Sequence, residues 1–371
     1  MSESTGAAED GQPLTRREAR ESVTSNDDAG LQVPQIDEDA IPPRPPAPPA
    51  PDFAGDPAAA MRSQLRQARG DFENHVNQAR EHLDQANERI KARTGRDLIL
   101  AILVGLAFGA VLLGSLLFLK ELFIPIALAI SVLGIFEFTR ALRTGGRRID
   151  IVPQVGAGVV LVLAGYFAPV WLTWVTLLFA VALVVVWRLI VQMMAKDGRT
   201  YGDVLTDAVV SGFVQIYVPF LTALALMLLG QEGGQWWVLG FIAVAVASDT
   251  GAYAAGVAIG KHPMAPRISP KKTWEGFGGA VIAAGAAGVL FALFLIDMPW
   301  WAGLIFGVAI LLSATLGDLG ESLIKRDLGI KDMSSWLPGH GGLLDRLDSI
   351  LPSTVPALIL YYLLSPLAVL A

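Results

Sequence analysis

The run LILAILVGLAFGAVLLGSLLFL, residues 98 to 119, is uncharged throughout and dominated by Leu, Val, Ala and Gly. A helix of that length rises about 33 Å, enough to cross the roughly 30 Å hydrocarbon layer of a bilayer. Eight windows of similar character follow, at roughly 122–140, 151–168, 170–188, 208–229, 236–259, 277–296, 299–321 and 350–370. The fold expected is therefore all-α: a polytopic membrane protein with about nine transmembrane helices. Composition agrees, since 53% of the 371 residues are hydrophobic and only 17% charged, with a mean hydropathy of +0.51.

Working outward from that first span, the segment before it is of another kind. Residues 1–58 are acidic and then proline-rich (IPPRPPAPPAPDF), a composition that buries too little apolar surface to fold and reads as a disordered tail. Over 59–96 the pattern changes. Phe72, Val76, Ala79, Leu83, Ala86 and Ile90 recur at spacings of three and four among charged residues, an amphipathic helix that lies on the membrane or self-associates. Residues 97–371 form the transmembrane catalytic domain. Residues 1–96 hold 17 acids and 12 bases, so they carry −5 of the net charge of −6. The membrane body is nearly neutral, and nothing points to nucleic-acid binding.

With no cysteine, disulfides, thiol catalysis and cysteine-ligated metals are excluded. The first 50 residues lack the basic start and apolar core of a cleavable signal. Orientation follows from the basic residues. The loops at 140–148, 188–207, 260–276 and 317–349 contain 15 Lys and Arg, while the opposite loops contain only Lys120. The positive-inside rule then predicts a cytoplasmic N-terminus and, after nine spans, an outer C-terminus.

Ionisable residues at membrane depth are costly and so point to function. Glu137 sits near the inner end of the second span, and Asp249 lies in SDTGAYAAG, whose small residues permit close helix packing. The loop GKHPMAPRISPKKTWEGFGG is punctuated by Gly and Pro, and its Lys271 and Lys272 are placed to turn inward to phosphates. The eighth span runs on into LGDLGESLIKRDLGIKD, where Asp318, Ser322 and Lys325 share a helix face at i, i+4 and i+7. Then comes WLPGHGGLLDRLDS, residues 336–349, crowding His340, Asp345, Arg346 and Asp348 against the next span. Its Pro338, Gly339, Gly341 and Gly342 make a turn whose amides are suited to wrap an anion.

Carboxylates among lysines and arginines suit a divalent cation together with phosphate oxygens. Mg²⁺ is typically held by one or two carboxylates plus substrate phosphates. On this reading Asp318 and Asp345 hold Mg²⁺, while Lys325, Arg326, Lys331 and Arg346 neutralise phosphates. His340 serves as a phosphate donor, because four scattered histidines do not make a zinc site. Massed at one membrane face, such a set fits phosphoryl or nucleotidyl transfer, where catalysis is mostly positioning and electrostatics.

The frame Ser322-x-x-Lys325-Arg326-x4-Lys331-Asp332, followed by Leu337-Pro338-Gly339-His340-Gly341-Gly342-x-x-Asp345-Arg346-x-Asp348, resembles the signature of bacterial-type phosphatidate cytidylyltransferases, or CDP-diacylglycerol synthases. SDTGAY and ISPKKTWEG also look like stretches of that family, and the resemblance spans roughly residues 98–371. Ala254 and Ala255 stand where bulkier residues are expected. The resemblance implies transfer of CMP from CTP to phosphatidic acid, giving CDP-diacylglycerol and pyrophosphate in phospholipid biosynthesis. It further implies a two-metal centre at Asp318 and Asp345, a homodimer in the cell membrane, and an active site on the cytoplasmic face. Lys325, Arg326, Asp332, His340, Arg346 and Asp348 are then the expected catalytic residues. Lys271, Lys272, Ser322, Lys331, Gly341, Gly342 and Asp249 are expected to bind substrate. Three rivals were weighed. A CDP-alcohol phosphotransferase needs a DG-x-x-AR run, but the two Asp-Gly pairs, Asp10-Gly11 and Asp197-Gly198, are followed by Gln12-Pro13 and Arg199-Thr200. A transporter would place its polar site near the midplane between repeats. A cytidylyltransferase for another lipid phosphate differs only in its acceptor.

Overall fold

The computed structural model describes residues 69, 98–195, 198–334 and 341–368 and, of residues 98–104, 108 and 368, the backbone alone. The expected tail, the amphipathic segment apart from Arg69, and the Leu337–His340 part of the signature lie outside the described residues.

The described chain is a helical bundle. Its elements are α1 (Leu98–Phe118), α2 (Phe123–Thr144), α3 (Ile151–Phe167), α4 (Val170–Met194), α5 (Tyr201–Gln215), α6 (Leu221–Leu229), α7 (Gly234–Ile259), α8 (Trp274–Phe294), α9 (Trp300–Asp327) and α10 (Ile350–Ala368). A single wide turn at Ile216–Phe220 joins α5 to α6, so the two read as one span kinked around Pro219. Nine apolar segments result, one for each expected window. Seven described segments are long and apolar enough to cross a membrane, and α1 and α3 contribute shorter apolar stretches. Several helices exceed their windows on the basic side, two of them with a visible local cause. α5 starts at Tyr201, where Thr200 and Asp203 form a reciprocal capping box. α9 continues to Asp327, ending in Lys325 and Arg326, whose charges suit the negative end of the helix dipole.

Small residues set the closest approaches. Gly251 of α7 lies against Gly279 of α8, and Gly288 of α8 against Gly303 and Gly307 of α9; a Cβ at these places would meet backbone. Without a hydrophobic drive between helices in lipid, such backbone-to-backbone contact supplies the packing attraction. Trp237 anchors this half of the core, with Phe291, Phe306 and Tyr361 packed edge-on at 5.4–5.6 Å. A second cluster joins Phe138 of α2 with Phe213 and Tyr217 of the fifth span.

One element departs from expectation. The loop after α7 is a two-stranded hairpin, β1 (Pro263–Ala265) and β2 (Ser269–Thr273), paired antiparallel with Pro263 opposite Thr273 and Ala265 opposite Ser269. So short a hairpin is marginal alone. Here it is tied down by Glu275 in the first turn of α8, whose carboxylate accepts from the amides of Lys261 (3.1 Å) and His262 (3.2 Å) and meets His262 Nδ1 at 2.5 Å.

Candidate active site

At the basic end of the bundle, α7, the hairpin, α8 and α9 enclose a cavity of about 280 Å³. Asp249, Lys271, Lys272, Thr315 and Asp318 supply its polar lining, and Ala252, Met264, Phe277 and Ala280 its apolar wall. The hairpin positions the lysines. Thr273 ends β2 and caps α8 by accepting from Gly276 N at 3.1 Å, which fixes the strand's direction just after Lys272. Lys272 Nζ then sits 2.5 Å from Asp318 Oδ2, and Ser322 Oγ donates to Asp318 Oδ1 at 3.3 Å. Both partners of that ion pair are about a quarter exposed (24% and 29%), so water or a substrate phosphate can reach either one.

Asp348 and Ser349, on the approach to α10, close the same neighbourhood. Ser349 Oγ donates to Asp249 Oδ2 at 2.7 Å, and Ser349 N donates to Asp348 Oδ1 at 2.9 Å. Burial, and next the nearby charge of Asp318, push the Asp348 carboxyl up to about 7. The charges of Asp318 and Asp249 both act on Asp348, and that of Asp318 on Asp249; Lys272 pairs with Asp318.

A second acidic group lies further along α9. Glu321 is fully buried, Lys325 Nζ donates to Glu321 Oε1 at 3.2 Å and to Asp345 Oδ1 at 3.0 Å, and the Tyr217 hydroxyl donates to Glu321 Oε2 at 3.3 Å. Asp345 also accepts from Met333 N (3.1 and 3.2 Å) and from Gly342 N (2.8 Å). Both of its oxygens are therefore already engaged by donors within the chain. On the far side of the turn, Glu137 Oε2 accepts from Leu344 N at 3.0 Å. A Cβ on Gly342 would collide with Glu137 Oε1 and crowd Asp345 Oδ2, and Gly341 adopts a positive φ of 83°. The glycines do build a turn around an anion, but in the structure that anion is the chain's own Asp345.

The expected site residues fall into three sets. Asp249, Lys271, Lys272, Asp318, Ser322 and Asp348 come together at or beside the cavity. Lys325, Gly341, Gly342 and Asp345 form the adjacent closed network. Arg326, Lys331, Asp332 and Arg346 are exposed. Arg326 Nε donates to Ile268 O in the hairpin at 3.2 Å and its side chain lines a different cavity. Asp332 lines a pocket of about 380 Å³ with Arg140 and Ser334. His340 lies outside the described residues. The expected sharing of one ion by Asp318 and Asp345 is not how their oxygens are engaged: one carboxylate pairs with Lys272, the other with Lys325 and two amides. The physical reason is the Gly342 turn, which folds an amide back onto Asp345.

Glu321, Tyr217, Thr315 and Ser349 were missed by sequence reasoning. Glu321 had a signal, being four residues before Lys325, the spacing of a helical ion pair. Tyr217, some hundred residues away in an apolar span, had none.

Among the described residues no group of three or more acidic or histidine side chains is placed to hold a metal ion. Mg²⁺ does not require one when phosphates complete its shell. Asp318, partly exposed and lining the cavity with Lys271 and Lys272, fits that mode as a single carboxylate beside phosphate-binding charge.

A model described as the cytidylyltransferase family matches residues 99–364. The chain is 42% identical over 286 residues to a phosphatidate cytidylyltransferase of Mycobacterium bovis, covering 74% of this chain and 91% of that relative. It is equally similar to the Mycobacterium tuberculosis H37Rv protein of that name, covering 85% of it. A Haemophilus influenzae phosphatidate cytidylyltransferase is 43% identical over 121 residues, 31% of this chain and 42% of that protein. With a bundle of nine apolar segments, seven of them long enough to span a membrane, and an acid–lysine cavity at its basic end, this chain belongs to the cytidylyltransferase family, the enzymes that transfer a cytidylyl group.

Proposed function

We propose that this enzyme transfers CMP from CTP to phosphatidic acid, releasing pyrophosphate and forming CDP-diacylglycerol, with Mg²⁺, at the cytoplasmic face of the cell membrane. The observation that carries the reading is the cavity in which Lys271, Lys272, Asp249 and Asp318 converge above an apolar wall. It offers phosphate-binding charge and hydrocarbon contact in one place, as a reaction between a nucleotide and a lipid phosphate requires. The names of the relatives at 42% identity support the choice of substrates. The excess of Lys and Arg in alternate loops supports the cytoplasmic placement, with the N-terminus inside and the C-terminus outside. The enzyme acts as a homodimer on this reading, which cross-linking in native membranes checks.

An oxygen of the lipid phosphate attacks the α-phosphorus of CTP, the bond to the β-phosphate oxygen breaks, and pyrophosphate leaves. A phosphomonoester has a second pKa of about 6, so the nucleophile is already anionic and needs no strong general base. The barrier is the approach of two anions. Lys272, released from Asp318, and Lys271 lower it by meeting the phosphates. Asp318 would hold Mg²⁺ together with the substrate phosphates, and the ion would supply charge neutralisation at the α-phosphate. Asp345 could join Asp318 only by giving up Lys325 and two amides. Lys325 and Gly342 hold Asp345 in the neighbouring network.

The test is to incubate the enzyme in lipid with phosphatidic acid, Mg²⁺ and each of the four nucleoside triphosphates, measuring pyrophosphate and the nucleotide-linked lipid. Release is expected with CTP alone and to depend on the lipid; release with another triphosphate, or without phosphatidic acid, overturns the assignment.

A further inference from the structure

On the other flank of α9 a groove of about 610 Å³ runs between α2, α5 and α9. Its walls are apolar, with Phe138, Leu142, Val210, Phe213 and Leu323, and its mouth carries Arg147, Arg326 and Asp327. From Thr206 to Phe213 it follows α5 for about 10 Å at the rise of a helix. Phe213 and Leu323, 38% and 54% exposed, stand at its side together with Leu205 and Val209 on the outer face of α5. The groove therefore opens sideways, where hydrocarbon surrounds the bundle. The net charge of its mouth is +1, beside the loop bearing Arg140, Arg143, Arg147 and Arg148.

We propose that this groove binds one anionic phospholipid of the surrounding membrane, its phosphate between Arg147 and Arg326 and an acyl chain along Phe213, Val210 and Leu323. A basic mouth over an apolar trough matches a phosphate joined to a hydrocarbon chain, and basic pockets between helices at a membrane face take anionic headgroups. This lipid is not the reacting one. Arg326 lies eight residues beyond Asp318 on α9, about 12 Å along the axis, and bonds to Ile268 on the outer side of the hairpin. That bond also ties the bound phosphate to the hairpin carrying Lys271 and Lys272. The site goes beyond the transfer reaction and does not depend on which nucleotide is used.

The full chain, purified in an uncharged detergent, is titrated with phosphatidylglycerol while its thermal midpoint is followed by tryptophan fluorescence. The wild type is expected to gain stability saturably. Val210→Trp, which fills the trough, is expected to lose the response. Arg147→Gln should weaken binding about fivefold, from about 1 kcal/mol per basic residue at a membrane surface, whereas Arg147→Lys should retain it. Equal responses in wild type, Val210→Trp and Arg147→Gln would overturn the proposal. So would a raised KM for phosphatidic acid at unchanged kcat in Val210→Trp, because the groove would then serve the reacting lipid. The binding arm reads out even from a protein that turns over no CTP, so failure of the transfer reading is seen separately.

Discussion

The two acidic groups on α9 are three residues apart in sequence and opposite in character. Asp345 and Glu321 are tied within the chain: Lys325 pairs with both carboxylates, and two amides and a phenol add to it. Asp318 instead pairs with a partly exposed Lys272 at the cavity, where the charges of Asp249 and Asp348 also act. A saturated network holds a fold together, because every group removed leaves a partner stranded. An acid-rich group open to a cavity is poised for a cation and its phosphates. On the proposed function, proximity in the motif conceals a division of labour between a latch and a site.

The comparison breaks most sharply at Asp318. Asp318→Asn should lower CDP-lipid formation by about 10²–10³, the usual cost of one electrostatic group at a reacting phosphate. Its thermal midpoint should hardly move, since partly exposed ion pairs contribute little. Mn²⁺ binding, followed by electron paramagnetic resonance, should fall in Asp318→Asn and Asp348→Asn and persist in Asp345→Asn. Loss of Mn²⁺ in Asp345→Asn at wild-type stability would move Asp345 into the site and erase the distinction.

Asp345→Asn should instead destabilise by about 1–3 kcal/mol, by weakening a charge-assisted contact and two amide bonds. Chemical denaturation in detergent measures this, and activity should recover in part at lower temperature. Gly342→Ala attacks the same latch from the other side and should cost about 1–3 kcal/mol through overpacking against Glu137. Because the clash is with that carboxylate, Glu137→Ala should mask much of the effect in a double-mutant cycle. The smallest change is Tyr217→Phe, which removes the hydroxyl on Glu321 and should cost about 1 kcal/mol. A turnover loss of more than tenfold there would show that the latch reaches into the chemistry.

Much of this architecture was legible. Residues 98–119 and the windows after them predicted nine apolar segments because the bilayer imposes a length and a composition that survive any detail of packing. Asp249 was legible because charge at membrane depth needs a reason, Lys271 and Lys272 because Gly and Pro punctuate their loop, and Asp318 because it shares a helix face with Ser322 and Lys325. The hairpin was not legible, since Gly and Pro mark a break without saying which strands pair. Nor was Glu321, hidden between two more conspicuous residues, or Tyr217, an aromatic in an apolar span. The reading of Gly341 and Gly342 as an anion cradle had the right geometry and left open whose anion it was.

By itself the sequence determined that the chain crosses a membrane about nine times and concentrates its charge at one end, both consequences of solvation that each segment obeys alone. Only the tertiary structure decided which lysine meets which acid. That choice depends on where α9, the hairpin and the Gly342 turn arrive relative to one another, and a carboxylate's partner is set by ångströms across segments that no local pattern records.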